Sequence, residues 1–359
     1  MTRAVLLFGG RSAEHEVSIL SARSIHKAAA GKIDFTPVCI ARDGRFIAPE
    51  RSVRILEAAE RSLTGDADFS FEGWARANGI EVVFPVVHGT GGEDGSLQGY
   101  LETIGIPYVG SGVTASVVAM DKGHMKQAFA SAKLPIVDHV EVREAEWTRS
   151  RDRVSRSIIN ALRLPYFVKP ANSGSSVGVT KVKNEEMLGK AVDFALSLDE
   201  KILVERGIDA RELEVAVLGT EEPKTSVAGE IVPTREFYDY EDKYVSGEAK
   251  LIVPAKLPAE KSEELRRHAL TAFRAVGASG FARVDFLMER GTNRVFVSEI
   301  NTIPGFTTFS MFPRLWEATE IKYSRLIELI IELGLRDWKK REGRRERGMA
   351  WLAEAKRLG

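Results

Sequence analysis

Apolar and polar positions alternate with two different periods in the first third of the chain. Three apolar runs rich in β-branched and aromatic residues have the character of buried strands: AVLLF (4–8), FTPVCIA (35–41) and EVVFPVVHG (81–89). A helix is predicted from about Ala13 to Ala29 with Ser12 as its N-cap, and residues 96–105 form a second amphipathic segment. Strands separated by helices predict a parallel, doubly wound sheet, with GGEDG (91–95) at the carboxyl edge where ligands bind.

The rest of the chain continues the mixed α/β pattern. Helices are predicted at 121–133, at about 151–163 and around 320–333. Further strands are predicted at HVEV (139–142), PYFVKP (165–170), GVTKVK (178–183), ILVE (202–205), ELEVAVLG (212–219) and SVAGEIV (226–232). A chain of 359 residues is too long for one simple core, so we expect two or three α/β domains.

Two strands near the carboxyl end carry the most informative chemistry. GFARVDF (280–286) and VFVSEIN (295–301) each alternate polar and apolar residues, and the turn-prone RGTN (290–293) lies between them. This pattern predicts an antiparallel hairpin that folds back about Thr292.

The predicted register brings four polar side chains onto one face of this hairpin. Asp285 falls opposite Glu299, and Arg283 falls opposite Asn301, with opposed Cβ atoms roughly 5 Å apart. Two carboxylates and an amide oxygen at this separation suit Mg²⁺, which keeps waters and ligand phosphates in its shell. Any one such pair would be better explained as the exposed face of a surface hairpin. The combination, followed at once by TIPGFT (302–307), favours a metal–phosphate site.

Composition and charge exclude several classes of protein. The chain is 44% hydrophobic and 28% charged, and its formal net charge is zero, so nothing indicates nucleic acid or an anionic membrane as a partner. Cys39 is the only cysteine, which excludes an intramolecular disulfide and a cysteine-cluster metal site. The apolar run after Arg3 is too short for a signal-peptide core. We therefore expect a cytoplasmic protein.

KPANSGSSVGV (169–179) joins two predicted strands through small residues. Such a loop can bring backbone N–H groups against phosphate oxygens without side-chain clashes. It differs from a P-loop because Lys169 precedes the glycines. Alone it would be a flexible hairpin. With the carboxylate hairpin downstream, it is interpreted as closing over a triphosphate, with Lys169 at the strand end.

Other polar residues are weaker candidates for nucleotide contacts. MDKGHMK (120–126) places Lys122 and Lys126 on one face of a helix. Most such lysines are solvated, and Lys122, in the first turn, is the better candidate for a phosphate contact. Glu205 or Glu212 could accept hydrogen bonds from the ribose or amine of adenosine.

GGRSAEHEVS (9–18) follows the first strand. Glu14 in a first helical turn ordinarily just complements the helix macrodipole, and the functional interpretation is that it holds a substrate ammonium group. A zinc helix is excluded because Ile19 stands where a second histidine is needed. No dinucleotide-binding glycine pattern follows the strand, so a dinucleotide oxidoreductase is not expected.

Two further segments have mixed aromatic and polar character. EFYDYEDKYVSGEAK (236–250) is typical of a lid that orders over ligand, with Lys243 and Tyr244 as its inward residues. After the hairpin, Gly305 can present a backbone N–H group. Ser310 could bind a carboxylate, although a lone serine more often caps a helix.

In the tail, residues 336–359, nine Lys or Arg and four Asp or Glu favour a solvated surface helix over a nucleic-acid arm.

Taken in order, these motifs resemble the D-alanine–D-alanine ligase family of the ATP-grasp superfamily. Seven segments carry the resemblance: GGRSAEHEVS, HGTGGEDGSLQG, MDKGHMK, VKPANSGSSVGV, FYDYEDKY, ARVDF and EINTIPGFT. They lie between residue 4 and about residue 333, and the tail is not covered. The resemblance implies an α/β, three-domain ATP-grasp fold: an amino-terminal substrate-binding domain (1–119), a central lobe (120–204), a carboxy-terminal lobe with lid and metal site (205–335) and a charged tail (336–359).

The resemblance also implies a reaction. ATP, held between the second and third domains, phosphorylates one D-alanine carboxylate, and the amine of a second D-alanine attacks the acyl phosphate. ADP, phosphate and D-alanyl-D-alanine for peptidoglycan are released. Two Mg²⁺ (or Mn²⁺) ions assist. The implied enzyme is a cytoplasmic homodimer whose partners are D-alanine and ATP.

Each candidate residue receives a role from the resemblance. The nucleotide is contacted by Lys122, Lys169, Ser176, Glu205, Glu212 and Lys243. The metal ligands are Asp285, Glu299 and Asn301. Arg283 and the N–H group of Gly305 stabilise the tetrahedral oxyanion. Glu14 takes the first ammonium group and forms a hydrogen-bonded set with Ser175 and Tyr244. His88 lies near the first substrate, and Ser310 and Met311 lie at the second.

Two alternatives remain at this point. The Lys243-Tyr244 pair favours the dipeptide-forming type over ligases that take D-serine or D-lactate as second substrate. A non-catalytic nucleotide-binding regulator is a remote alternative. Loss of Lys169, Arg283 or a metal carboxylate would indicate such a regulator, and all are present.

Overall fold

The computed structural model describes residues 1–233 and 249–358, and these form three sheets covered by helices. The amino-terminal sheet contains Arg3–Gly9 (β1), Asp34–Ile40 (β2), Phe46–Ile47 (β3) and Val82–Pro85 (β4). Its order is β3-β2-β1-β4, with β1 parallel to both neighbours and β3 antiparallel at the edge. The predicted parallel sheet is therefore confirmed for the three strands β2, β1 and β4.

Five helices of the described chain belong to this first unit: His15–Ala28 (α1), Pro49–Leu56 (α2), Phe71–Ala77 (α3), Ser96–Thr103 (α4) and Val113–Met120 (α5). The prediction that Ser12 caps α1 is wrong, since the helix begins later and its N-cap is Glu14. The Ser12 hydroxyl instead donates to the carbonyl of His88 at 2.6 Å. The loop before α1 is thereby fixed to the segment after β4.

The central sheet consists of His139–Arg143 (β5), Tyr166–Pro170 (β6), Thr180–Val182 (β7) and Lys201–Arg206 (β8), in the order β5-β8-β6-β7. All its pairings are antiparallel. It is covered by Glu144–Ala161 (α7) and Leu188–Leu196 (α8), with a 3₁₀ turn at Glu185–Met187. Helix α7 begins before the predicted residue 151 and has a kink at Ser150. Its first half buries only Trp147, so it gives little periodic signal.

The third sheet is also antiparallel, in the order β11-β10-β9-β12-β13. Its strands are Ala210–Leu218 (β9), Lys224–Val232 (β10), Lys250–Ile252 (β11), Phe281–Glu289 (β12) and Val295–Asn301 (β13). The remaining helices of the described residues are Lys122–Ser131 (α6), Ala259–Ala275 (α9), Met311–Glu317 (α10) and Tyr323–Leu358 (α11). Helix α6 packs into the core of this third sheet through Met125 and Phe129. The proposed domain boundaries stay predictions.

One aromatic cluster joins the first sheet to the third. The rings of Phe84 in β4 and Phe281 in β12 lie 6.2 Å apart, and each lies 5.7 Å from Phe306. All three side chains are fully buried. Because the same hydrophobic core contains residues of both sheets, the two sheets are held in a fixed relative position.

The last helix is longer than predicted. The helix predicted around 320–333 and the surface helix predicted for the tail form one continuous helix, α11, which runs through Gly343 and Gly348 to Leu358. Trp338 packs edge-on to Tyr108 with centroids 6.1 Å apart, and the Arg341 guanidinium lies over both rings. The tail is thus anchored on the first domain. Even so, within the described residues no helix is long and apolar enough to cross a membrane.

Because Trp338 anchors the tail, its substitution should lower the stability of the protein more than substitution of Trp351 on the same helix. We expect Trp338→Ala to lower the free energy of unfolding by about 2 kcal/mol, because it removes a packed aromatic pair. Trp351 is 67% exposed, so Trp351→Ala should change the free energy of unfolding by less than about 0.5 kcal/mol. Urea unfolding followed by circular dichroism measures both. Equal effects would mean that the tail is not anchored through Trp338.

Candidate active site

The carboxylate hairpin has the predicted register at its polar end. Arg283 pairs with Asn301, and Asp285 pairs with Glu299 across β12 and β13. A bulge just after Asp285 shifts the register by one residue toward the turn, where Phe286 faces Val297. The predicted pairing is therefore confirmed where the polar side chains lie.

Arg283 is the electrostatic centre of this face. Its Nε donates to Asp285 Oδ1 and its Nη2 donates to Asp285 Oδ2, both at 2.7 Å. Nε also lies 3.0 Å from Glu214 Oε2, and Asn301 Nδ2 donates to Asp285 Oδ2 at 3.0 Å. Burial disfavours the guanidinium charge, but Asp285 and Glu214 raise the pKa of Arg283 well above its usual value. A fixed cation therefore lies between carboxylates.

A second charged group lies on the central sheet. Lys169 Nζ donates to Glu205 Oε2 at 2.7 Å, and Lys126 Nζ lies 3.1 Å from Glu205 Oε1. Lys126 is 1% exposed, so the expectation that it is solvated is wrong. Lys122 Nζ instead donates to the carbonyl of Ser173 in the small-residue loop, at 2.5 Å. Lys126 and Lys169 thus share one carboxylate, while Lys122 is bound to the small-residue loop.

The small-residue loop meets Glu14. Ser175 and Ser176 adopt left-handed backbone angles, with φ of 49° and 60°. The Ser175 hydroxyl donates to Glu14 Oε1. A Cβ atom on Gly174 would lie 2.7 Å from Glu14 Oε2, which is closer than a carbon and an oxygen can approach. Glycine at this position therefore allows the loop to close onto the carboxylate.

His88 links the first sheet to the segment after the hairpin. Its Nδ1 lies 3.1 Å from the carbonyl oxygen of Ile303, which can only accept, so Nδ1 carries the proton. Its Nε2 accepts from the Ser21 hydroxyl at 2.9 Å. Burial lowers the pKa of His88, and the ring is neutral. Nδ1 therefore joins the first unit to the segment after the hairpin, whereas Nε2 bonds α1 within the first unit.

Glu93, in the GGEDG loop, is a second acid beside Glu14. Its Oε1 accepts from the N–H group of Gly89 at 2.8 Å and lies 4.0 Å from His88 Nδ1. Burial, aided by the charge of Glu14, raises the pKa of Glu93 to about 8. At neutral pH the Glu93 carboxyl is therefore largely protonated.

The segment after the hairpin places Gly305 and Ser310 together. The Ser310 hydroxyl lies 2.8 Å from that of Thr307 and accepts from the Thr307 N–H group at 3.0 Å. A Cβ on Gly305 would lie 2.7 Å from Ser310 Oγ, so a larger residue there would displace the Ser310 hydroxyl. Ser310 is the N-cap of α10, but its side chain makes no capping bond. Met311 is buried in the core, where its sulfur packs over Gly229.

Known proteins match this architecture over its whole length. Family models of the D-ala D-ala ligase N-terminus and C-terminus match residues 3–111 and 128–332. A D-alanine–D-alanine ligase of Chloroherpeton thalassium is 43% identical over 363 residues, covering 96% of this chain and 99% of that protein. The D-alanine-D-alanine ligase structure from Coxiella burnetii has a TM-score of 0.82 at 33% identity, covering 98% of this chain and 100% of that chain. The chain belongs to the D-alanine–D-alanine ligase family.

A solved relative of different specificity is similar too. The VanG D-Ala:D-Ser ligase from Enterococcus faecalis has a TM-score of 0.79 at 30% identity, covering 92% of this chain and 99% of that chain. The family assignment therefore establishes the ATP-grasp fold. It does not distinguish D-alanine from D-serine as the second substrate, and an assay of the products has to do so.

The oxygen atoms on the carboxylate hairpin are of the kind that binds Mg²⁺. Asp285, Glu299 and Asn301 supply two carboxylates and an amide from adjacent strands on one face. Among the described residues, no group of three or more His, Cys, Asp or Glu side chains is arranged to hold a metal by itself. Mg²⁺ normally completes its shell with water and phosphate oxygens, so this set suits a metal that arrives with a nucleotide.

Glu214 is the clearest residue that the sequence prediction missed on this face. It lies on β9 directly beside Asp285, so Glu214, Asp285 and Glu299 form a row across three strands. Glu214 is 5% exposed and lies within 3.0 Å of the Arg283 guanidinium. Alternation in ELEV put Glu212 and Glu214 on one face of the strand. Only the pairing of β9 with β12 shows that this face is the site.

The remaining predicted residues differ in how far they can be placed. Glu212 lies on the same face of β9 as Glu214, paired with Leu287. Lys243 and Tyr244, with most of the predicted lid, lie outside the described residues. The ligand contacts assigned to all these side chains stay predictions.

The pKa of Glu93 predicts a pH-dependent stability difference. The folded ligase binds this proton more tightly than the unfolded chain, whose pKa is near 4.5, so this group's contribution falls as pH rises from about 4.5 to 8. Glu93→Gln removes the effect. We expect the variant's melting temperature, relative to wild type, to be higher by a few degrees at about pH 8.5 than at about pH 5. Differential scanning fluorimetry measures this, with exposed Glu57→Gln as control. The same difference at both pH values would contradict it.

Proposed function

We propose that this protein joins two D-alanine molecules into D-alanyl-D-alanine, with ATP as co-substrate, for the synthesis of peptidoglycan precursors. The observation that carries the proposal is the contact of the small-residue loop with Glu14 through Ser175. It brings the loop that we propose to bind phosphate beside the carboxylate that we propose to bind the ammonium group, as a reaction between a nucleotide and an amino acid requires. The name of the 43% identical relative supports the same activity.

The nucleotide binds between the central and third sheets in this proposal. Lys122, Lys169 and Lys243 contact the phosphates, and Ser176 in the loop adds a hydroxyl group. Glu205 and Glu212 accept hydrogen bonds from the adenosine. Asp285, Glu299 and Asn301 would hold two Mg²⁺ (or Mn²⁺) ions, which neutralise phosphate charge when bound.

The first substrate binds beside α1. Its ammonium group pairs with Glu14, and Glu93 beside it is largely protonated at neutral pH. A carboxylate oxygen of this D-alanine attacks the γ-phosphorus, and the bond to the ADP oxygen breaks. The product is an acyl phosphate, whose phosphate is a good leaving group.

The second D-alanine binds with its carboxylate at Ser310 and its amine toward the acyl carbon. Attack by the amine forms a C–N bond and a tetrahedral oxyanion. Arg283 and the N–H group of Gly305 stabilise this negative charge. The C–O bond to phosphate then breaks, and the nitrogen loses a proton. Because Asp285 and Glu214 keep Arg283 charged and oriented, its guanidinium is preorganised for this step.

The second candidate function is a D-alanine–D-serine ligase. The similarity to the VanG enzyme is the observation that favours it. The experiment that decides is a phosphate-release assay with ATP, Mg²⁺ and D-alanine alone or with D-serine or D-lactate, with products identified by mass. D-Alanyl-D-alanine as the main product from the mixture supports the proposal, and a mixed product replaces it with the alternative.

The enzyme is proposed to work in the cytoplasm as a homodimer. The buried free thiol of Cys39 suits a reducing compartment. Chemical cross-linking and light scattering of the purified protein test the dimer.

Removal of one of the carboxylates that are proposed to bind the metal should affect the chemical step most. We expect Glu299→Gln to lower kcat by at least ~10² while the fold is retained, because a neutral amide holds a metal ion less well than a carboxylate and the charge of the transferring phosphate is then less neutralised. Glu57→Gln, an exposed change of the same kind, is the control. Steady-state kinetics at saturating Mg²⁺ measures the effect, and near-normal turnover there would refute the assigned metal role.

A further inference from the structure

Glu205 is shared by two lysines that differ in their surroundings. Lys126, from α6, is 1% exposed, and Glu205 is 5% exposed. The side chain of Lys169 is 20% exposed and lies at the end of β6, where the small-residue loop begins. Lys126 is therefore enclosed, whereas Lys169 can turn toward a ligand.

The cluster carries more positive than negative charge. Burial alone would raise the pKa of Glu205, but Lys126 and Lys169 together hold it below its usual range. Burial likewise opposes the charge of Lys169, but Glu205 raises its pKa. Two ammonium groups thus neutralise one carboxylate. If Lys169 were the only partner of Glu205, moving it to another anion would leave a buried carboxylate unpaired, which is strongly unfavourable.

Lys169 also lies in the field of the site's other acids. After Glu205, Glu299 and Glu212 contribute to its raised pKa. It therefore stands between the enclosed cluster and the carboxylate hairpin. A triphosphate bound there would offer Lys169 a second anionic partner.

We propose that Lys126 is a positioning residue of the nucleotide site, which keeps Glu205 neutralised while Lys169 exchanges that carboxylate for a nucleotide phosphate. This inference rests on the proposed function, because it takes the nucleotide as the ligand of Lys169. Lys126 itself does not touch the ligand. Its role is to make the exchange by Lys169 energetically accessible.

The proposal predicts a defect that depends on phosphate. In Lys126→Met, Lys169 and Glu205 are left as a balanced pair, so the unliganded protein should keep its melting temperature. Binding of ADP must then break that pair, and we expect ADP affinity to fall by at least about tenfold. Adenosine has no phosphate and does not compete for Lys169, so its affinity should stay within about twofold. Isothermal titration calorimetry measures both ligands.

Three further variants separate this role from simple structural support. In Lys126→Met/Glu205→Gln, no carboxylate holds Lys169. Because Glu205 is itself proposed to contact adenosine, this double variant is compared with Glu205→Gln alone, and the ratio of ADP affinity to adenosine affinity should be the same in the two. Lys190→Met, an exposed change of the same kind on the same lobe, should bind both ligands as wild type does.

The outcomes are distinct. An unchanged affinity ratio in Lys126→Met overturns the proposal. Equal weakening of ADP and adenosine together with a lower melting temperature also overturns it and assigns Lys126 a structural role. If the double variant has a lower ratio than Glu205→Gln alone, Glu205 does not compete with phosphate and the exchange is wrong. Failure of the wild-type protein to bind ADP would count against the proposed function itself.

Discussion

The packing of Phe84, Phe281 and Phe306 is the constraint on which the site depends. Phe281 opens the strand that carries Arg283, and Phe84 lies a few residues before His88. Aromatic rings in a close-packed core cannot slide without opening voids, so these segments keep fixed separations. The hydrogen bond from His88 to the Ile303 carbonyl also orients these segments relative to each other. The pocket of Glu14 and Glu93 on the first sheet and the acidic hairpin on the third are therefore parts of one rigid frame.

Charged side chains of both signs line this frame. On the hairpin face, Arg283 lies within ion-pair distance of Asp285 and Glu214, and Glu299 pairs with Asp285 across the two strands. On the central sheet, the carboxylate of Glu205 is shared by Lys126 and Lys169. In the proposed function, the phosphates of the nucleotide bind at the lysines and its metal ions bind at the acids, so one ligand would meet both groups.

Contacts between residues that are close in the sequence could be predicted, whereas contacts between distant residues could not. Asp285 and Glu299 could be paired because a short turn joins their strands and fixes the register. The contacts of Lys126 could not be predicted, since lysines four apart on a helix are usually solvated and its partner lies on a strand far along the chain. Glu93 lies in a polar loop whose burial comes from the packing of other segments. Helix α11 was underestimated because Trp338 is anchored by Tyr108, which no local pattern reveals.

The central lobe is attached differently from the other two units. Its core, with residues from Val142 to Val204, is a separate cluster. It contacts the frame through polar pairs such as Ser175 with Glu14 and Lys201 with Asp121. Polar pairs exchange partners more readily than packed rings, so this lobe is the unit whose position ligands can bias. Since Ser175 bonds the carboxylate assigned to the substrate ammonium, closure of the lobe and occupation of that pocket must affect each other. By linkage, amino acid and nucleotide should then influence each other's affinity equally.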